Sequence, residues 1–123
     1  MPNERAQLDR VFHALADPTR RAVLVRLSRG TATVSELAEP FEMALPSFLQ
    51  HLRVLADSDL VHSRKDGRVR TYQLSPQPLQ LAEGWMTEQR GLWERRLDQL
   101  DRFLESLAPA RTGNQAGKKR RRK

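Results

Sequence analysis

A chain of 123 residues with 38% hydrophobic and 30% charged side chains fits one soluble globular domain and is too apolar for wholesale disorder. It contains no cysteine, which removes disulfides, thiolate metal sites and cysteine nucleophiles together. Of its 22 basic side chains six are Lys118–Lys123, leaving 16 against 15 acidic ones over residues 1–117, so the net charge of +7 must be read by position and not by total.

No run approaches the roughly 18 consecutive apolar residues of a membrane span. The opening MPNERAQLDR lacks the apolar core of a secretory signal, so the cytoplasm is the expected location.

Residues 4–16 place Leu8, Val11, Phe12 and Leu15 at helical spacing, which predicts an amphipathic first helix. Asp17-Pro18 marks its boundary and opens a second helix, capped by Asp17 and running to about Ser28, where Gly30 stops it. Thr33-Val34-Ser35-Glu36 has the form of a capping box ahead of a short helix that Pro40 ends. Residues 39–44 turn into a helix over 45–57, with Phe48, Leu52 and Leu55 on one face and Leu45 and Leu49 near its edge.

Residues 60–64 and 69–74 are strand-like, and the Asp66-Gly67 pair between them signals a hairpin. From Pro78 to Leu107 a long amphipathic helix carries Leu81, Trp85, Leu92, Trp93, Leu97, Leu100, Phe103, Leu104 and Leu107. Two tryptophans there exceed what a small three-helix core buries. Pro109 closes the helix, and the basic remainder reads as a disordered tail. The expected fold is mainly α with a small β-hairpin wing: one winged helix-turn-helix domain over 4–107, then a tail over 108–123.

Four segments resemble the ArsR-type winged-helix repressors: Phe12-His13-Ala14-Leu15-Ala16-Asp17-Pro18-Thr19-Arg20-Arg21, Thr33-Val34-Ser35-Glu36-Leu37-Ala38, Gln50-His51-Leu52-Arg53-Val54-Leu55 and Gly67-Arg68. The resemblance as a whole covers about residues 8–105. The resemblance implies a homodimer with helices from both chain ends packing across a two-fold axis. It also implies a two-fold symmetric operator overlapping a promoter, and repression in place of activation. Many members release DNA on binding a metal. This chain lacks their cysteine motif and is similar to the metal-independent branch, so no metal or cofactor is expected and any small-molecule effector is left open. Leu49-Gln50 stands where members often carry Ser-Lys, so no operator sequence carries over.

Double-stranded DNA is the expected partner. With Phe48, Leu52 and Leu55 facing the core, Ser47, Gln50, His51 and Arg53 point outward as base-contact candidates, and Gln50 suits a bidentate pair with adenine. The wing sets Arg64, Lys65, Arg68 and Arg70 against the single acid Asp66, a local charge that fits phosphate contact. Arg20 and Arg21 are further backbone candidates. Leu8, Phe12, Trp85, Leu92, Trp93, Leu97 and Leu100 are expected at the dimer interface, although the tryptophans also suit an effector pocket.

Simpler readings stand beside these. His51 also suits packing or capping, and His13 and His62 read as surface or partly buried residues without ligand spacing. Glu83, Glu88 and Glu94 read as a solvated helix face. The tail suits either a DNA tether or a solubilising end. A winged-helix protein–protein interaction module is the alternative function, and the basic wing counts against it. No phosphate loop, His-Glu-x-x-His pattern or paired carboxylates support an enzyme.

Overall fold

The computed structural model describes residues 3–108. The elements in chain order are α1 (Glu4–Leu15), α2 (Pro18–Leu27), β1 (Ala32–Thr33), α3 (Val34–Ala38), α4 (Leu45–Asp57), β2 (Val61–Asp66), β3 (Val69–Leu74) and α5 (Gln77–Leu107). Residues 109–123, including Pro109 and most of the predicted tail, lie outside the described range. The chain divides into two compact units, Met1–Trp85 and Met86–Lys123.

Short polar side chains start three of the helices. Asn3 accepts from the Arg5 amide at α1, and Asp17 accepts from the Arg20 amide at 3.0 Å to open α2, with Pro18 occupying a first-turn position where no amide is needed. At α3 both halves of the capping box form: the Thr33 amide donates to Glu36 at 2.8 Å and the Glu36 amide to Thr33 Oγ1 at 3.2 Å. The N-cap of α4, Ala44, supplies no such bond, and Pro46 sits in its first turn.

α4 ends in a Schellman motif. Leu60 donates to the Leu55 carbonyl and Asp59 to that of Ala56, each at 3.0 Å, with Asp59 in the left-handed region at φ 61°. An aspartate tolerates that conformation better than a bulky or β-branched residue, which is why the motif closes without a glycine. The motif returns Leu60 to the core beside Leu55, both fully buried.

The sheet has three antiparallel strands in the order β1-β3-β2, one more than the hairpin predicted. β1 is only Ala32 and Thr33, paired with Tyr72 and Thr71, and two residues display no alternation to read. The hairpin is also tighter than expected: β2 extends through Asp66, which pairs with Val69, leaving Gly67-Arg68 as the loop. Gly67 has φ 64° while Arg68 keeps a negative φ, the pattern of a type II′ turn whose first central position favours glycine.

The core of the first unit gathers Val23, Leu24, Leu27, Leu37, Phe48, Leu52, Leu55, Leu60, Val61 and Tyr72, so α2, α3, α4 and the sheet share one apolar centre. Phe48 lies at its middle, 5.5 Å from the ring of Phe41. The start of α5 closes on this unit through buried Pro78 and Ala82 and partly buried Leu79. In the second unit, by contrast, the helix residues Leu92, Trp93, Leu97, Leu100, Phe103, Leu104 and Leu107 are all exposed.

Candidate nucleic-acid interface

α3 and α4, joined by residues 39–44, form the helix-turn-helix pair, and the core stripe of α4 determines what its other face offers. At 100° per residue, Gln50 lies opposite the Phe48–Leu52–Leu55 stripe, flanked by Ser47 and Arg53; all three are exposed. Leu45 and Leu49 are exposed as well, at 52% and 41%. Two bare leucines beside Gln50 are apolar groups of the kind that meet thymine methyls in a major groove. They were legible in the sequence only as edge positions.

His51 is placed differently from its neighbours. It borders the core stripe and is half-buried, with Nδ1 turned inward, 3.2 Å from Arg20 Nη1 and 3.6 Å from Asp17 Oδ2. Arg20, the first of the expected backbone contacts, is engaged inside the protein: Nε donates to the Ala14 carbonyl at 2.8 Å and Nη2 to that of His13 at 3.0 Å. These carbonyls end α1, so a cation caps the negative end of that helix. Arg21 is exposed and donates once, to the Leu15 carbonyl at 2.7 Å. At Asp17, burial works against ionisation, but the Arg20 amide and the nearby His51 and Arg20 side chains outweigh it and hold the carboxyl below its ordinary range.

The wing is where charge collects. Arg64, Lys65, Arg68 and Arg70 are all exposed. The register sets Lys65 directly opposite Arg70. Because side chains alternate along a strand, both share the face of Tyr72, which packs against the helices, while Arg64 stands on the other face and Arg68 at the tip. Like charges directly opposite across strands are destabilising. Arg70 leans diagonally across the hairpin and donates to Ser63 Oγ at 2.7 Å.

Leu8 and Phe12 on α1 are half-buried, and the Phe12 ring meets that of Trp85 edge-on at 5.7 Å, so these three form one patch on the first unit. In the second unit Trp93, Leu97, Leu100, Leu104 and Leu107 follow one another at spacings of 4, 3, 4 and 3 residues. That alternation is a heptad seam, the pattern with which a helix faces another helix. Trp93 is 68% exposed, so nothing among the described residues covers the seam. Among the described residues no group of three or more His, Asp or Glu side chains is arranged to hold a metal ion, and no helix is long and apolar enough to cross a membrane.

A short capped helix, a turn, an exposed reading helix and a cationic antiparallel wing define a winged helix-turn-helix DNA-binding protein. Residues 15–64 match the helix-turn-helix domain family. An HTH-type transcriptional regulator of Mycobacterium tuberculosis is 39% identical over 98 residues, spanning 80% of this chain and 89% of the relative. The transcriptional repressor SdpR of Bacillus subtilis is 34% identical, over 64% of this chain and 88% of its own. A solved ArsR family transcriptional regulator is 56% identical, with a TM-score of 0.72, covering 76% of this chain and 97% of that one. The chain belongs to the ArsR family: it is a DNA-binding transcriptional regulator acting on double-stranded DNA, not an enzyme.

Proposed function

We propose that this regulator is a cytoplasmic repressor that binds a two-fold symmetric operator as a homodimer, residues 4–107 serving as one DNA-binding and dimerisation domain. α4 enters the major groove, where Gln50, Ser47 and Arg53 meet base edges, His51 contributes from the margin, and Leu45 and Leu49 lie against thymine methyls. Arg64, Lys65, Arg68 and Arg70 meet phosphates beside the groove, with Arg21 as an additional backbone contact. The patch of Leu8, Phe12 and Trp85, the seam residues Trp93, Leu97 and Leu100, and the neighbouring Leu92 are covered by the second copy. A dimer seated over a promoter represses by occupying it.

The observation that carries this reading is the opposed Lys65–Arg70 pair on a wing with one acidic residue. The fold gains nothing from that repulsion, and a phosphate between the two cations removes it.

Two substitutions separate positioning from reading. Arg68→Ala weakens binding to every duplex and flattens the salt dependence of log K by about 0.9, the slope of one phosphate contact. Gln50→Ala relaxes preference at one base pair, by about 1–3 kcal/mol, and leaves the salt slope unchanged. Both are read in a gel-shift series across salt, using a duplex recovered by selection from a random pool and its single-base variants. If Gln50→Ala lowers binding to all variants equally, the reading role of α4 is lost. An Arg68→Ala protein with the parent's salt slope removes the wing from the interface.

A further inference from the structure

We propose that Arg20 positions His51, holding its imidazole as the Nε2–H tautomer, so that α4 offers DNA a hydrogen-bond donor and not an acceptor at this position. The guanidinium cannot accept a hydrogen bond, and it lies 3.2 Å from Nδ1. The contact is a hydrogen bond only if neutral Nδ1 carries a lone pair, which places the ring hydrogen on Nε2. Arg20 is itself held, by the Ala14 and His13 carbonyls at 2.8 and 3.0 Å, so the donor approaching Nδ1 has a defined direction.

Asp17 favours the opposite tautomer, since its Oδ2 needs an N–H from Nδ1. It stands farther off, at 3.6 Å, and already accepts from the Arg20 amide at 3.0 Å. A distance of 3.6 Å lies beyond hydrogen-bond range, and the Arg20 contact prevails. Among the described residues Nε2 has no hydrogen-bond partner, and the side chain is 23% exposed. A ring with one nitrogen fixed inward leaves its other nitrogen as the polar group for an outside acceptor, whether phosphate oxygen, guanine N7 or O6, or thymine O4. Arg20 therefore acts on DNA through His51, although its own charge is turned inward.

This inference rests on α4 being the helix that meets DNA, and the experiment has one arm that does not. In the free, nitrogen-15-labelled protein above the histidine titration range, long-range proton–nitrogen correlation of the imidazoles should show His51 as the single Nε2–H tautomer, and Arg20→Lys should turn it into a mixture. A His51 Nδ1–H tautomer, or an Arg20→Lys spectrum identical to the parent's, overturns the proposal without reference to DNA.

The second arm uses two amide replacements on the selected duplex. His51→Asn places its oxygen near the position of Nδ1 and keeps the Arg20 partner, but does not reach as far as Nε2; His51→Gln reaches to Nε2 and gives up Arg20. Asn should lose about tenfold in affinity with little change in melting temperature, and Gln should stay within about threefold of the parent. The reverse order, equal losses in both, or no loss in either overturns the donor role. If Gln50→Ala is also silent in base preference, the docking of α4 falls, and the tautomer arm still decides the Arg20–His51 link.

Discussion

If the proposed homodimer forms through this helix, replacing Trp93 with glutamate is expected to leave the protein monomeric at micromolar concentration and to lower operator affinity by about 100-fold or more. Trp93 begins the 4-3-4-3 seam and is 68% exposed in the single chain. Tryptophan at the centre of an interface is a frequent hot spot, worth about 2 kcal/mol or more on truncation. A two-fold axis doubles the effect, because each copy carries the change and a carboxylate is introduced on both sides of an apolar seam. Operator affinity follows because two half-sites held by one dimer bind far more tightly than one reading helix alone. Analytical ultracentrifugation gives the mass, and gel shift gives the affinity. Glu94→Ala, one residue along, should change neither. A Trp93→Glu protein that still sediments as a dimer would remove the seam from the interface.

The second large effect concerns stability. Phe48→Ala should destabilise the first unit by about 3–5 kcal/mol, the usual loss for a fully buried phenylalanine. Phe48 is 0% exposed, sits among α2, α3, α4 and sheet residues, and stacks at 5.5 Å on Phe41, so the cavity has walls from several elements and cannot collapse onto one neighbour. Against a total of about 5–15 kcal/mol for a typical domain, that is a large fraction. Urea unfolding followed by circular dichroism should show the midpoint falling sharply with the m-value retained. A loss below about 1 kcal/mol would mean that α4 is not anchored through this ring. Phe48 lies between Ser47 and Gln50 in sequence yet on the opposite side of the helix. Its removal should therefore weaken binding only as far as it unfolds the protein, whereas Gln50→Ala alters base preference in a folded one.

Much of this architecture was already written in local sequence. Asp17 ahead of Pro18, and Thr33 with Glu36 three residues on, satisfy amides a few bonds away, so their helix starts could be read without knowing the fold. The Phe48–Leu52–Leu55 stripe placed Gln50 on the outside by helical period alone, and a basic run around a glycine marked the wing. The exposed tryptophans followed from size: an apolar stripe this broad has more surface than so small a core can cover.

Other features were decided only when distant residues met. Arg20 read as a candidate phosphate contact, yet its guanidinium joins the end of α1 to His51, 31 residues along the chain. The repulsive Lys65–Arg70 pairing depends on a register that changes partner if the hairpin loop gains or loses residues, and the loop proved to be Gly67-Arg68. β1, two residues long, exists because β3 offers it an edge. Caps and periodic stripes are local energies carried by each segment alone. Register, long-range capping and the tautomer of His51 are properties of contacts, which do not exist until the chain has folded.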